Sequence, residues 1–149
     1  MIYISHRGNL YKPQPKYENS IPYIQEALDR GYDVEVDVWY NDRDGYYLGH
    51  DYPQYKVDIE FLTNTRLWIH CKNSLALYKL TNFKGLNYFW HQNDDYTLTS
   101  QNMIWCYPGK TIPFLNKERA ICVMPEIHLT NVEGFGGICS DNIEYYRYG

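Results

Sequence analysis

Long hydrophobic runs and a basic excess are both missing from this sequence. Its apolar runs are far shorter than the ~20 residues that a helix needs to cross a bilayer, so we expect no membrane span. Residues 1–6 hold neither a basic stretch nor an apolar core, which argues against a secretory leader and favours a cytoplasmic location. Lys and Arg total 14 against 18 Asp and Glu, and the resulting net charge of −4 argues against nucleic-acid binding.

Cysteine is scarce and shows no ligand spacing. The four cysteines form no Cys-x-x-Cys pair and have no His at zinc-finger spacing; they are Cys71, Cys106, Cys122 and Cys139. Because each lies in or beside an apolar segment, we interpret them as buried free thiols of a protein in a reducing compartment.

The chain does contain enough apolar surface for one core. Its 149 residues amount to a single domain, 1–149, and 44% of them are hydrophobic. The aromatic share is 17%, with 17 Tyr, which excludes disorder over most of the length.

Apolar strand patterns alternate with helical patterns along the chain. Strands are predicted at 1–5, 32–39, 67–71, 88–90, 103–106, 121–124 and 137–139, with a hairpin strand at 46–49. Helices are predicted at 20–31, 59–62, 74–80 and 142–146. This alternation is typical of an α/β fold with a parallel sheet. Since a full (β/α)₈ barrel needs about 250 residues, we expect a reduced TIM-type barrel of about seven parallel strands, with several helices shortened or missing.

Polar residues cluster where three of these strands end. They are His6, Arg7, Glu35, Asp37, His70 and Lys72. Each alone has an ordinary interpretation, such as a solvated strand end or the wet face of an antiparallel strand. Together they map to the carboxyl edge of a parallel sheet, where such folds bind ligands.

Two carboxylates at this edge suggest a metal ion. Glu35 and Asp37 lie two residues apart on one strand and point the same way. Like charges so close resist joint ionisation unless a cation lies between them. All-oxygen ligands favour a hard ion, Mg²⁺ or Ca²⁺.

The other side chains suit phosphate chemistry. Arg7 offers a guanidinium fork and Lys72 a point charge for a phosphate group. His6 and His50 are candidates for proton transfer near neutral pH. A cation, a phosphate clamp and two histidines are the components of phosphodiester cleavage.

The order of these motifs closely resembles the glycerophosphodiester phosphodiesterase family. That family carries HRG, EN(T/S), ExDV and HD segments in order, and this chain has His6-Arg7-Gly8, Glu18-Asn19-Ser20, Glu35-Val36-Asp37-Val38 and His50-Asp51. The likeness covers residues 3–51, and the segment 137–141 is similar to the family's last strand. The resemblance implies a TIM-type barrel, the fold shared with phosphatidylinositol-specific phospholipase C.

The resemblance also implies residue roles. The implied general acid and base are His6 and His50. The implied metal ligands are Glu35 and Asp37. The implied phosphate- and substrate-binding residues are Arg7, Glu18 and Lys72. In the family, a neighbouring hydroxyl of the substrate attacks phosphorus, and water then opens the cyclic phosphate.

This chain departs from the family at the third strand. The family carries Glu-x-Lys there, whereas this sequence reads His70-Cys71-Lys72. An imidazole ligand would favour Mn²⁺ or Zn²⁺. Glu126 is an alternative third ligand. We rank it below His70 because the third strand is expected beside the second, while the strand before Glu126 is expected across the barrel.

The chain is also short between the hairpin and the third strand. Family members commonly insert a segment there that covers the substrate, and only residues 52–66 are present here. We therefore expect a more open site that accepts a bulkier or polymeric diester.

Two aromatic-rich segments each have two interpretations. In 89–95, His91, Gln92 and Asp94 either line the mouth of the site or belong to a strand end followed by a capped helical turn. Trp105 either stacks on the substrate or packs in the core.

The sequence therefore predicts a metal-dependent phosphodiester hydrolase of lipid metabolism, acting on a small glycerophosphodiester-like substrate. The alternative is a non-catalytic module of the same fold that binds phosphodiesters, because the third ligand and the cover segment differ from the family. A weaker third prediction is the processing of sugar polymers. Since missing helices would expose apolar sheet, we also expect self-association into a homo-oligomer.

Overall fold

The computed structural model describes residues 1–113 and 116–149 and places ten strands and five helices in them. The strands are β1 Ile2–His6, β2 Asp33–Asn41, β3 Gly45–Leu48, β4 Tyr55–Lys56, β5 Leu67–Cys71, β6 Asn87–Trp90, β7 Tyr96–Leu98, β8 Ile104–Cys106, β9 Lys117–Val123 and β10 Phe135–Ser140. The helices are α1 Ile21–Asp29, α2 Ile59–Leu62, α3 Ser74–Leu80, α4 Pro125–His128 and α5 Ile143–Tyr148.

All ten strands belong to one sheet. Seven of them run parallel, in the order β6-β5-β2-β1-β10-β9-β8. Strands β3 and β4 continue from the end of β2 as antiparallel partners, and β7 pairs antiparallel with β8. The predicted α/β class, with a mostly parallel sheet and a hairpin strand, is confirmed.

The sheet is curled. Its concave side buries Ile4, Trp68, Phe89, Trp105 and Ile121 in one cluster, although these side chains come from five strands spread across the sheet. No ladder joins β6 to β7 in the part of the chain that the structure describes. The sheet is therefore a curled half-barrel, and the predicted closure into a TIM-type barrel is not established.

The longest helix covers the convex side of the sheet. Ile24, Ala27 and Leu28 of α1 form one face of the helix and pack with Val34 of β2 in a second core cluster. The helix ends before Gly31, whose φ of 89° lies in the left-handed region that glycine adopts without strain. The α1 boundaries thus follow the apolar periodicity and the terminal glycine.

The structure differs from the sequence prediction mainly between β6 and β9. Strand β7 occupies the place where a capped helical turn was one of the two interpretations, and no helix lies between β6 and β9 among the described residues. Helices α2 and α4 have only four residues each, in line with the expected shortening. Strands β4 and β7 and helix α4 escape prediction because each is short and has at most two apolar side chains, too few to form a pattern.

The cysteines are buried and free, as predicted. Burial raises the pKa of Cys71 to about 12 and that of Cys106 to about 11.

Among the residues that the structure describes, no helix is long and apolar enough to cross a membrane.

Candidate metal centre and active site

The register of the sheet brings the predicted site residues together. His6 at the end of β1 is the partner of Glu35 in β2, and Asp37 of β2 is the partner of His70 in β5. Because side chains alternate along a strand, Glu35 and Asp37 share one face of β2. They are only 2% and 1% exposed, so this face is not the wet face of a strand.

Glu35, Asp37 and His70 form a group that fits a metal ion. One potential ligand atom from each lies within 4.8 Å of the others. Nδ1 of His70 is 3.2 Å from Oδ1 of Asp37 and 3.9 Å from Oε1 of Glu35. Oδ1 of Asp37 and Oε2 of Glu35 are buried and accept no hydrogen bond from the described residues. Buried acceptors without donors are costly, and a divalent cation would satisfy both.

A second contact orients His70 for this role. Its Nε2 lies 2.9 Å from the backbone oxygen of His91. A carbonyl oxygen only accepts, so Nε2 carries the proton and donates it. In the neutral ring, Nδ1 then turns its lone pair toward the two carboxylates, an arrangement that calls for a proton or a metal ion between them. The imidazole also stacks on Phe89 at 5.2 Å between ring centroids.

Charge and burial shift the pKa values of this group in different directions. Burial and the charge of Asp37 raise the pKa of Glu35. Burial also acts to raise the pKa of Asp37, but the adjacent imidazole of His70 and the charge of Arg7 outweigh it and lower that pKa. For His70, burial acts to lower the pKa, but the adjacent carboxylates of Asp37 and Glu35 outweigh it and raise that pKa. The two acids therefore resist carrying two negative charges unless a cation balances them.

His6 is held by a carboxylate from the other end of the chain. Its Nδ1 lies 2.7 Å from Oδ1 of Asp141, directly after β10, and Nδ2 of Asn9 donates to the same oxygen at 2.8 Å. Since the carboxylate accepts, Nδ1 donates, and Nε2 faces Glu35 at 3.6 Å. Burial acts to lower the pKa of His6, but the hydrogen bond with Asp141 and the charge of Glu35 outweigh it and raise that pKa.

Arg7 lies in the turn after β1 with a φ of 57°. Its Nη1 donates to Oε1 of Glu18 at 3.1 Å, and its Nε lies 3.3 Å from Oδ2 of Asp37. The backbone N–H of Gln14 donates to the other oxygen of Glu18 at 2.9 Å. Glu18, expected to bind substrate, thus contacts Arg7 and fixes the position of its guanidinium.

Asn19 and Asp141 have roles that the sequence reasoning missed. Nδ2 of Asn19 donates to Oδ2 of Asp37 at 2.9 Å, and its Oδ1 accepts from the backbone N–H of Asp37 at 3.0 Å. Asn19 is 1% exposed, so these bonds fix Asp37 inside the protein. Both missed residues belong to segments of the family resemblance, 18–20 and 137–141. Those segments mark the positions but do not name the partners.

His50 repeats the arrangement of His6 at the end of the hairpin. Its Nδ1 lies 2.6 Å from Oδ1 of Asp51, so that the N–H donates to the carboxylate. Unlike His6, this pair is exposed to solvent, with 43% of the His50 side chain accessible.

One cavity of about 370 Å³ joins these groups. The predicted site residues that line it are His6, Arg7, Glu35, Asp37, His50, His70, Lys72, His91 and Trp105. Glu18 lines an adjoining depression that shares Arg7 and His50 with the cavity.

Comparison with family models, curated proteins and solved structures finds no match to this chain. The likeness to glycerophosphodiester phosphodiesterases therefore stays a resemblance carried by the motifs in residues 3–51 and 137–141.

Glu126, the alternative third metal ligand, is not among the residues that line the cavity. Its Oε1 accepts from the Ser140 hydroxyl at 2.8 Å and from the backbone N–H of Asp141 at 3.1 Å. It therefore supports the turn that carries Asp141, and His70 occupies the place beside Glu35 and Asp37.

The β6 and β8 side of the cavity carries the remaining predicted residues. Trp105 is buried, with its ring 4.8 Å from Phe89 and 5.8 Å from Trp68 between centroids, and it also lines the cavity. Core packing of Trp105 is therefore confirmed, and stacking on a substrate stays a prediction. Burial and the charge of His70 lower the pKa of His91, which lies on the same side.

Proposed function

We propose that this protein is a metal-dependent phosphodiester hydrolase that acts on a glycerophosphodiester-like substrate. The observation that carries the proposal is one cavity lined by two aspartate-paired histidines, His6 and His50, by a three-residue candidate metal group, and by the cations Arg7 and Lys72. Each of these groups has a task in the cleavage of a phosphate diester.

The two histidines supply proton transfer in this reaction. A carboxylate holds Nδ1–H of both His6 and His50, so Nε2 is the atom that takes or gives a proton. One histidine takes the proton of the substrate hydroxyl that attacks phosphorus. The other protonates the departing alkoxide as its bond to phosphorus breaks. With the two roles exchanged, water opens the resulting cyclic phosphate.

The cations of the cavity bind the phosphate group. Arg7 presents a planar guanidinium that Glu18 and Asp37 hold in one orientation. Lys72, which follows β5, lines the same cavity and supplies a point charge.

Glu35, Asp37 and His70 would hold the divalent metal. When bound, the ion would supply positive charge that polarises the phosphate oxygens and orients the attacking hydroxyl. Two carboxylates suit Mg²⁺ and Ca²⁺, and the imidazole adds affinity for Mn²⁺ or Zn²⁺.

We propose further that the curled sheet is a reduced TIM-type barrel. What supports this is the run of seven parallel strands, because six of them, all except β10, bring residues at or near their carboxyl ends to the cavity. The outer helices of such a barrel would be missing mainly between β6 and β9, where the described residues form no helix.

A hydrolysis assay tests the function. The purified protein, supplied in turn with Mg²⁺, Mn²⁺, Ca²⁺ or Zn²⁺, is assayed on glycerophosphodiesters and on an activated bis-aryl phosphate. His6→Ala and His50→Ala are each expected to lower kcat/KM by about 10²–10⁴-fold, because each removes a proton carrier. His128→Ala, which removes an exposed imidazole from α4, is the matched control and retains the wild-type rate. Unchanged rates in both His6→Ala and His50→Ala contradict the proposed mechanism.

Non-catalytic binding of a phosphodiester is the second candidate function. His70 at the third ligand position, where the resembled family carries a glutamate, favours it, because an imidazole in place of a carboxylate lowers the affinity for Mg²⁺ and Ca²⁺. Calorimetry with a glycerophosphodiester separates the two functions. Binding without product under every metal supports the binding module, whereas turnover that depends on His6 and His50 excludes it.

A further inference from the structure

One imidazole in the cavity has no task in the proposed reaction. His91 follows β6, and its side chain lines the cavity while being only 9% exposed. Neither ring nitrogen has a hydrogen-bond partner among the described residues, and Oδ2 of Asp94 is 4.0 Å from Nδ1, too far for a hydrogen bond. A buried polar group without a partner is costly, so its retention in a cavity wall points to a ligand.

The neighbours of His91 indicate which chemistry that ligand carries. Tyr107 lies with its ring centroid 5.2 Å from that of His91 and is 39% exposed, and Gln92 lines the same cavity. A neutral imidazole offers one donor and one acceptor, and the amide of Gln92 offers both as well. A hydroxyl group also donates and accepts. A polyol or sugar ring adds an apolar C–H face that suits the aromatic ring.

We propose that His91, Gln92 and Tyr107 form a hydroxyl-binding subsite for one of the two alcohol groups of the diester. This inference rests on the proposed function and deepens it, because it makes the preferred substrate a diester with a sugar or cyclic polyol in that position.

The contacts of His70 place this subsite within reach of the reacting phosphate. The ring centroids of His70 and His91 are 6.1 Å apart, and Nε2 of His70 donates to the backbone oxygen of His91. A diester whose phosphate lies at the candidate metal group therefore reaches His91 with the alcohol attached to it.

A matched pair of diesters tests the subsite. Glycerol phosphate esterified to inositol and glycerol phosphate esterified to cyclohexanol share one ring size and differ only in ring hydroxyls. The wild-type protein is expected to prefer the inositol ester at least about tenfold in kcat/KM. His91→Phe keeps a ring beside Tyr107 but removes both nitrogens. It is expected to lower kcat/KM for the inositol ester by about 10–100-fold and to leave the cyclohexyl ester within about twofold.

Two further variants serve as a control and as an independent test of the subsite. His128→Phe makes the same substitution at an exposed site and is expected to change neither rate. Gln92→Leu, at an exposed position on the cavity rim, is expected to reduce the preference in the same direction as His91→Phe, and it serves if His91→Phe does not fold. Equal wild-type rates on both esters, or an equal loss on both in the variants, overturn the subsite.

A binding measurement separates the subsite from the proposed function. His6→Ala, in which turnover of both esters is expected to be about 10²–10⁴-fold slower, is titrated with each of them by calorimetry. Tighter binding of the inositol ester, lost on adding Gln92→Leu, supports the subsite. If the wild-type protein hydrolyses neither ester with any metal, the proposed function is wrong, and the binding ratio still decides the subsite. Equal binding of both esters overturns it.

Discussion

Asp141 orients the imidazole ring of His6 and stabilises its protonated form. The two residues are 135 positions apart in the chain, yet Nδ1 of His6 lies 2.7 Å from the carboxylate. A carboxylate on Nδ1–H fixes one tautomer of the ring and stabilises the imidazolium, as the Asp–His pair of serine proteases does. Asn9 donates to the same oxygen and restrains the carboxylate in turn.

Replacing Asp141 by Asn tests this role. The substitution keeps the shape but removes the negative charge that stabilises protonated His6, so the pKa of His6 is expected to fall. An NMR titration of the histidine resonances measures that shift without any need for turnover. Diester hydrolysis is expected to fall by roughly 10–10³-fold. Asp42→Asn, an exposed carboxylate in the hairpin, is the control. A His6 pKa unchanged in Asp141→Asn would show that the pair has no electrostatic role.

The element that carries Asp141 into place is β10. It pairs with β1 on one side and β9 on the other, and the register with β9 shifts between Phe135 and Gly137. At Gly136 a Cβ atom would collide with the backbone of Glu118 in β9. Glycine at this position therefore permits the close approach of two strands, and it needs no positive φ to do so.

A pair of glycine substitutions tests that close approach. Gly136→Ala is expected to destabilise the protein by about 3 kcal/mol, because the strands have to move apart. Gly85→Ala is the matched control. Its φ of 89° costs an alanine about 1 kcal/mol, and no atom lies within 4 Å of the new Cβ. Urea denaturation of both variants measures the difference. A smaller loss for Gly136→Ala than for Gly85→Ala would contradict the packing of β9 on β10.

Metal binding is expected to change the stability of the entire domain. The candidate ligands come from β2 and β5, which are neighbours in the middle of the sheet, so an ion bound by Glu35, Asp37 and His70 links strands that must separate on unfolding. An ion that binds only the folded state at 100 times its Kd stabilises it by about 2.7 kcal/mol.

A thermal melt measures this effect. For a domain of this size, Mn²⁺ or Zn²⁺ at that excess is expected to raise Tm by roughly 5–10 °C, and EDTA is expected to reverse the rise. His70→Ala removes one ligand and is expected to abolish most of the shift, whereas His128→Ala keeps it. A shift of equal size in His70→Ala would mean that the ion binds elsewhere.

The local structure and the residue types at the candidate site could be predicted from the sequence. Apolar periodicity located α1, α2, α3 and β5, because the spacing that forms these elements is contained within them. The predicted strands also placed the polar residues of the site at one edge of the sheet, since parallel strands present their carboxyl ends at one edge. The order of the motifs suggested His6 as a proton carrier and Glu35 and Asp37 as metal ligands.

The contacts among these residues could not be predicted, because they depend on how the sheet pairs and curls. The contact of His6 with Asp141, the bonds of Asn19 to Asp37 and the exclusion of Glu126 from the candidate metal group all depend on strand register. The short strand β7 and the open edge beside β6 depend on packing as well. Local spacing carries no record of such pairings, because they form between segments that are far apart in the chain and meet only when the sheet curls.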